Sequence, residues 1–372
     1  MKKDWQIKKL GEVCNIIGGT TPSTTNKSYW NGTEKWITPA EIDINKKYIF
    51  DSVRHITTQA VKDCSLQLQP KGTVIFTSRA PIGKVAISEM DFYCNQGFKN
   101  FVCSEEIFNE YLYYFLLKNV DYLNSIGKGT TFKEISKTVI SQVQIPLPPL
   151  EEQKRIVAVL DKKFAQVETL KTAAEKNLQN TKQLFQAELE KTLLTSQTDK
   201  VVDLFDIKTG KLNSNAAVPN GKYPFFTCSR EVFSIDNYAF DCDAILLAGN
   251  NASGDFNVKH YCGKFNAYQR TYVLTVKESK IAEIKLLYYV LENYLKKLKI
   301  MSVGANTRFL KLGMIQNLDF PNYSLNEQKR IVAHLDSLSE KVHQLEEIYT
   351  KQLADCDELK QSLLQKAFEG EF

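Results

Sequence analysis

Twelve residues are written into this chain twice. Leu150-Glu-Glu-Gln-Lys-Arg-Ile-Val-Ala-Val-Leu-Asp161 returns as Leu325-Asn-Glu-Gln-Lys-Arg-Ile-Val-Ala-His-Leu-Asp336, identical at ten of twelve positions and 175 residues further along a chain of 372. A repeat at nearly half the chain length demands two similar halves in tandem, related by an approximate internal two-fold. Weaker echoes extend it: Gly127-Lys-Gly-Thr-Thr-Phe132 with Gly304-Ala-Asn-Thr-Arg-Phe309, Tyr113-Tyr114 with Tyr288-Tyr289, and Ile145-Pro146 with Phe320-Pro321. Each half therefore runs globular, then helical.

The helical pieces contain neither Pro nor Gly over 151–194 and 324–368, and are rich in Ala, Leu, Lys, Glu and Gln, all strong helix formers. In the second, apolar residues fall at 331, 335, 338, 342, 345, 349, 356, 359 and 363, a heptad seam broken only at Gln352. In the first, Ile156, Leu160, Val167, Leu170, Ala174 and Leu184 keep a similar register, and Phe164, Leu178, Phe185 and Leu189 widen the stripe. At 1.5 Å per residue each helix spans on the order of 65 Å. Two such stripes in one chain predict an antiparallel intramolecular coiled coil.

The globular pieces carry short β-type runs such as Thr73-Val-Ile-Phe-Thr77, Lys84-Val-Ala-Ile87, Ala244-Ile-Leu-Leu-Ala248 and Thr271-Tyr-Val-Leu-Thr-Val276. Gly18-Gly19, Asn31-Gly32, Pro70-Lys-Gly72 and Pro81-Ile-Gly83 punctuate the first, and helical stretches are expected over 109–118 and 281–299. The fold class is therefore α+β: two mixed α/β domains in a tandem pseudo-two-fold repeat, separated by the two long helices. Each globular piece is large enough for its own core.

Eight cysteines form no C-x-x-C pair and no metal-ligand spacing with the four histidines, so reduced thiols and no metal site are expected. With no signal peptide and no apolar run of membrane-spanning length, a cytoplasmic location and no membrane partner are expected. Charge divides unevenly. Residues 1–148 carry 18 basic and 14 acidic side chains and residues 196–322 carry 16 and 12, whereas the last fifty carry 6 and 10. The excess of positive charge sits on the globular pieces, as a nucleic-acid partner would want.

Enzymatic signatures are missing. There is no G-x-G-x-x-G, G-x-x-x-x-G-K-[ST], G-x-S-x-G or H-E-x-x-H, and no Asn-Pro-Pro-aromatic or Asp-Pro-Pro-Tyr motif of amino-methyltransferases. No catalytic residue is expected. What remains are loops mixing glycine, small polar and basic residues, at matching places in both halves. In the first half they offer Arg79, Lys84, Asn95, Gln96, Lys99, Lys128, Thr130, Thr131 and Lys133; in the second, Asn250, Asn251, Ser253, Gln269, Arg270, Asn306, Thr307 and Arg308. Arg can bind guanine O6/N7 bidentately, Asn or Gln can do so with adenine, and Lys or Thr can hold phosphate. A scaffold whose globular units bind proteins is the rival reading, countered by the basic charge and the matched polar loops.

The doubled Leu-x-Glu-Gln-Lys-Arg-Ile-Val-Ala-x-Leu-Asp, each time following a proline, resembles the helical conserved regions of the specificity subunit of Type I restriction-modification enzymes. Trp5-x4-Leu10-Gly-Glu-Val13 with Gly18-Gly19 is similar to the start of that family's target-recognition domains. So are Phe76-Thr-Ser-Arg-Ala-Pro-Ile-Gly-Lys84 and Asn95-Gln-Gly-Phe98, and the closing Leu364-Gln-Lys-Ala-Phe-Glu-Gly370 matches too. The resemblance covers the whole chain. The second half departs, with Gly249-Asn-Asn-Ala-Ser-Gly254 where the first has an Arg/Pro/Gly-Lys loop.

The resemblance implies a first recognition domain at 1–148, a central helix at 149–195, a second recognition domain at 196–322 and a C-terminal helix at 323–372. Each recognition domain would read one half of a bipartite double-stranded DNA target. The helices would set the unread spacer and dock two modification subunits, with restriction subunits joining them. The chain itself would bind no cofactor; S-adenosylmethionine, ATP and Mg would belong to the partner subunits.

Overall fold

The computed structural model describes residues 5–79, 81–129 and 133–372. They fall into two compact units, Met1–Ala173 with Gln352–Phe372, and Ala174–Lys351. Both boundaries lie inside the long helices Leu150–Leu193 and Leu325–Glu369. Each unit is thus a globular part with the helical segments that pack on it.

In the first unit, strand Gln6–Lys9 pairs antiparallel with Gln144–Leu147, closing the globular part at its own ends. A single helical turn, Leu10–Val13, follows; its backbone entry is held by Glu12, which accepts from the Lys9 amide at 2.9 Å. A five-stranded sheet comes next, in the order Cys14–Gly18, Lys99–Cys103, Val74–Phe76, Val85–Ser88 and Tyr48–Ile49. Val74–Phe76 and Val85–Ser88 are buried at every position, which is why they read as apolar runs rather than alternating strands. A smaller sheet adds Arg54–Ile56, Trp30–Ile37 and Tyr93–Cys94. Helix Asn109–Lys118 buries Tyr111 through Leu116 between the sheet and the long helices, with Tyr111 and Phe115 against Phe368 and Tyr114 against Phe164.

The second unit repeats the plan. Thr198–Lys200 pairs with Asp319–Pro321, the turn Val201–Leu204 is capped by Asp203, and a six-stranded sheet follows. Its order is Phe205–Thr209, Thr271–Val276, Phe240–Ala248, Val258–Ala267, Tyr223–Phe226 and Phe233–Ile235. The first four correspond in order to the first four of the other sheet, and helix Ile284–Met301 takes the place of Asn109–Lys118. The expected tandem α+β architecture is borne out.

The duplicated dodecamer is a docking device. Gln153 is fully buried; its Oε1 accepts from the Phe108 amide at 2.8 Å and its Nε2 donates to the Glu106 and Pro148 carbonyls at 2.9 Å. Gln328 repeats this, accepting from the Glu283 amide and donating to the Tyr323 carbonyl, both at 2.8 Å. Asp161 accepts from the Tyr114 hydroxyl and pairs with Lys47 at 2.8 Å; Asp336 accepts from Tyr289 at 2.6 Å and pairs with Lys285 at 2.7 Å. Ile156, Val157 and Leu160 enter the first core, and Ile331, Val332 and Leu335 the second. A buried amide that satisfies several backbone groups at once fixes the helix far more sharply than apolar contact alone.

Within each unit the long helices run antiparallel. The first unit pairs Lys171 with Asp357 and Lys360 with Glu168, each at 2.9 Å; the second pairs His334 with Glu188 at 3.5 Å and Lys182 with Glu346 at 3.9 Å. The expected register is wrong in part. Leu170 and Leu184 are 58% and 71% exposed, and the buried line instead runs through Val167, Ala174 and Thr181 at strict seven-residue spacing. Leu345 and Leu359 are also exposed, while Cys356 is buried. These helices serve a globular core as well as each other, so their apolar residues form more than one stripe.

Candidate nucleic-acid interface

In the first unit the chain leaves Val74–Phe76 through Thr77 and Ser78, and three segments distant in sequence meet there. The Ser78 amide donates to the Gly97 carbonyl at 2.8 Å, and its own carbonyl accepts from the Ile135 amide at 2.9 Å. Lys128, next to Gly129, and Glu134 exchange backbone hydrogen bonds at 3.0 and 2.9 Å. The second unit builds the same junction. Gly249 donates to the Arg270 carbonyl and accepts from the Leu310 amide, both at 2.8 Å, while Val303 and Phe309 exchange bonds at 3.1 and 2.9 Å. Gly129 and Gly304 occupy equivalent places with φ of +123° and +111°. At Gly304 a Cβ would lie 2.0 Å from the Thr307 carbonyl, so glycine is required there.

A fourth segment braces each junction. Gly19 passes so near the Cys94 carbonyl that a Cβ would come within 2.1 Å, and Gly210 passes Ala267 as closely, at 1.8 Å. Behind them, the Thr21 hydroxyl donates to Gln96 Oε1 at 2.5 Å, and Gln269 Nε2 donates to Asn213 Oδ1 at 2.8 Å. Thr21 and Asn213 escaped notice in the sequence, although the Gly18-Gly19 pair marked the place.

The frame is shared but its side chains differ. In the first unit Glu134 takes Arg79 Nε at 2.8 Å and Lys99 Nζ at 3.2 Å, joining the three loops by ion pairs. Burial works against the charge on Glu134, but the hydrogen bonds and charges of Arg79 and Lys99 outweigh it and hold the carboxyl below its usual range. In the second unit the corresponding loop is shaped by amides: Asn251 Oδ1 accepts from the Ser253 amide and hydroxyl at 2.9 Å and from the Asp255 amide at 3.1 Å.

The candidates thus divide. Gln96, Lys128 and Lys133 are exposed beside the first junction, and Gln269, Arg270, Asn306 and Thr307 beside the second; among the described residues Lys128, Lys133 and Arg270 make no ion pair. Others have structural work. Lys84 Nζ donates to the Pro39 and Ile42 carbonyls at 3.0 Å, Asn95 Oδ1 accepts from the Gly97 amide, and Asn250 pairs as a strand with Phe309. Arg308 donates to Ser302 Oγ at 2.9 Å and to the Lys299 carbonyl at 3.1 Å. Thr130 and Thr131 lie outside the described residues. Glu134 is the junction residue that sequence reading missed, because an acid in a basic loop carried no motif.

The arrangement offers donors of hydrogen bonds on loops held by rigid backbone bridges, and no cluster of metal-ligating side chains among the described residues. Comparisons with known proteins give the family. A family model described as Type I restriction modification DNA specificity domain matches residues 2–180 and again 195–353. The Type I restriction enzyme MjaIX specificity subunit of Methanocaldococcus jannaschii is 30% identical over 414 residues, covering 99% of this chain and 94% of that protein. The EcoDI specificity subunit of Escherichia coli is 41% identical over 142 residues, 38% of this chain and 31% of its own. Among solved structures, a chain of a type I R-M system superposes with a TM-score of 0.83 at 22% identity, covering 100% of this chain and 99% of that one. The HsdS subunit from Thermoanaerobacter tengcongensis superposes at 0.62, also at 22% identity, covering 100% and 98%. These last two bear on the fold alone. With two matched specificity domains in tandem and a relative aligned over nearly its whole length, this chain belongs to the family of Type I restriction-modification specificity subunits.

Proposed function

We propose that each globular part reads one half of a bipartite, asymmetric double-stranded DNA target through the major groove, at its loop junction. Two modification subunits assemble on the chain and restriction subunits join them. The chain supplies the address and no chemistry. S-adenosylmethionine, ATP and Mg belong to the partners, and the complex works in the cytoplasm. The long helices, each roughly 66 Å at 1.5 Å per residue, set the length of the unread spacer. Since a target adenine must leave the stack to be methylated, the loops hold DNA that is locally distorted.

One observation carries this reading: the same backbone junction is built twice and furnished with different side chains. A symmetric frame with unequal readers suits an asymmetric target with two half-sites. To the exposed Gln96, Lys128 and Lys133, and to Gln269, Arg270, Asn306 and Thr307, we assign contact with base edges or phosphates.

The test is DNA titration at two salt concentrations, with and without the modification subunit. Binding that weakens steeply with salt is expected. Binding that is absent or salt-independent in both cases refutes the DNA reading and leaves the protein-scaffold alternative.

A further inference from the structure

The 175-residue repeat also duplicates a cavity. Two concavities, one in the first unit and a shallower, more open one in the second, each have a volume of about 590 Å³. The first is lined at positions 113, 114, 161, 164, 165 and 168, and the second at 288, 289, 336, 339, 340 and 343, every pair 175 apart. In each, two adjacent tyrosines stand edge to face with centroids 5.2 Å apart, at 74° in one and 77° in the other. The second tyrosine donates to the aspartate that ends the repeated dodecamer.

The tyrosine pair and the aspartate are the same, whereas Phe164, Ala165 and Glu168 are replaced at the equivalent positions by Ser339, Glu340 and His343, and the lysine has two origins. In the second unit Lys285, on helix Ile284–Met301, pairs with Asp336 directly. The position 175 residues earlier is Glu110, which would repel Asp161. Lys47 enters from a separate loop and bridges the two carboxylates. Two independent solutions thus yield one cavity.

The walls are unsuited to a polyanion. Around the first, Lys47 is held by Glu110 and Asp161, Lys360 pairs with Glu168, and Lys118 stands over the Phe368 ring. Around the second, Lys285 is paired with Asp336, Lys259 donates to the Ser229 carbonyl and His260 contacts Asp243. Committed cations and an aromatic floor of this volume fit an apolar or aromatic side chain better than a phosphate.

We propose that the two cavities are matched anchor sites for two copies of one partner chain, each copy seating the same aromatic or aliphatic side chain against the tyrosine pair. This rests on the reading that two modification subunits assemble on the chain, and it says where each is anchored.

The test fills the cavities from their rims. Ala165 and Glu340 are equivalent, exposed and outside the tyrosine–aspartate–lysine network. Ala165→Trp and Glu340→Trp, singly and together, are mixed with purified modification subunit; stoichiometry is read by sedimentation and folding by thermal unfolding. Wild type should bind two copies, each single variant one, and the double variant none at concentrations that saturate wild type, a loss of about tenfold or more per site. Should tryptophan impair folding, cysteine at the same positions is blocked after folding with a bulky maleimide and compared with equally labelled wild type. A folded double variant that binds two copies with wild-type affinity overturns the proposal. Wild type that binds no modification subunit overturns the assembly reading beneath it.

Discussion

The two loop junctions have nearly the same backbone and a glutamine braced in the same way, but differ in the groups that tie their loops together. In the first, one carboxylate, Glu134, binds Arg79 and Lys99 and ties three loops with charge. In the second the corresponding loop is a turn stabilised by Asn251, and Arg270 stands exposed with no ion pair among the described residues. The parts that do match, Gln153 with Gln328 and Asp161 with Asp336, lie at the roots of the long helices. Identity between the halves is thus concentrated where a domain is fixed to its helix, and difference where a partner would be read. Such a division lets recognition change without disturbing the support.

The largest effect should come from attacking the shared part. Gln153→Ala leaves one buried amide and two carbonyls without their partner, and should destabilise the first unit by about 2–4 kcal/mol in urea unfolding. Gln328→Ala should act similarly on the second. If either is silent, the dodecamer is not a docking device.

Next come the unequal parts. Arg270→Ala should weaken binding by about 1–3 kcal/mol if it contacts a guanine, measured by DNA titration on targets varied in one half-site. Glu134→Gln should free Arg79 and Lys99 and loosen discrimination in the other half-site. Acid should do the same. The Glu134 carboxyl is held below its ordinary value of 4.5, so its stabilising contribution is complete above that pH and is lost as pH falls through the depressed folded value. In the second junction the carboxylate of Asp255 pairs, among the described residues, with Arg230 alone at 2.9 Å rather than tying three loops, so amide exchange followed from pH 6 to pH 3 should loosen the first junction more than the second.

The smallest effect separates two leucines in one apolar stripe. Leu338 is half-buried and Leu345 is 39% exposed. Leu338→Asp should lower the thermal midpoint, while Leu345→Asp should stay within about 0.5 kcal/mol of wild type. Equal losses would restore the register expected from the heptads.

Much of the frame was legible because it is periodic or repeated. The dodecamer announced tandem halves, and the apolar runs at 74–76 and 244–248 announced buried strands. The seam was less legible: Leu170 and Leu184 fit a heptad, but a period does not say which of two stripes faces the partner helix. The site was legible as loops and not as roles. Lys84 looked like a phosphate ligand, yet two carbonyls 42 and 45 residues earlier claim its ammonium. Lys47 carried no signal, because its need arises from Glu110 and Asp161, which only the fold brings near it. Long-range pairing of this kind leaves no local pattern.

The most direct measurement is methylome sequencing of a host that expresses this chain with its modification subunit, as wild type, Arg79→Ala and Arg270→Ala. Two half-sites separated by a fixed unread gap are expected, with each variant relaxing one half-site, a different one in each case, at an unchanged gap. A variant that alters both half-sites or the gap would contradict a shared frame carrying two independent readers.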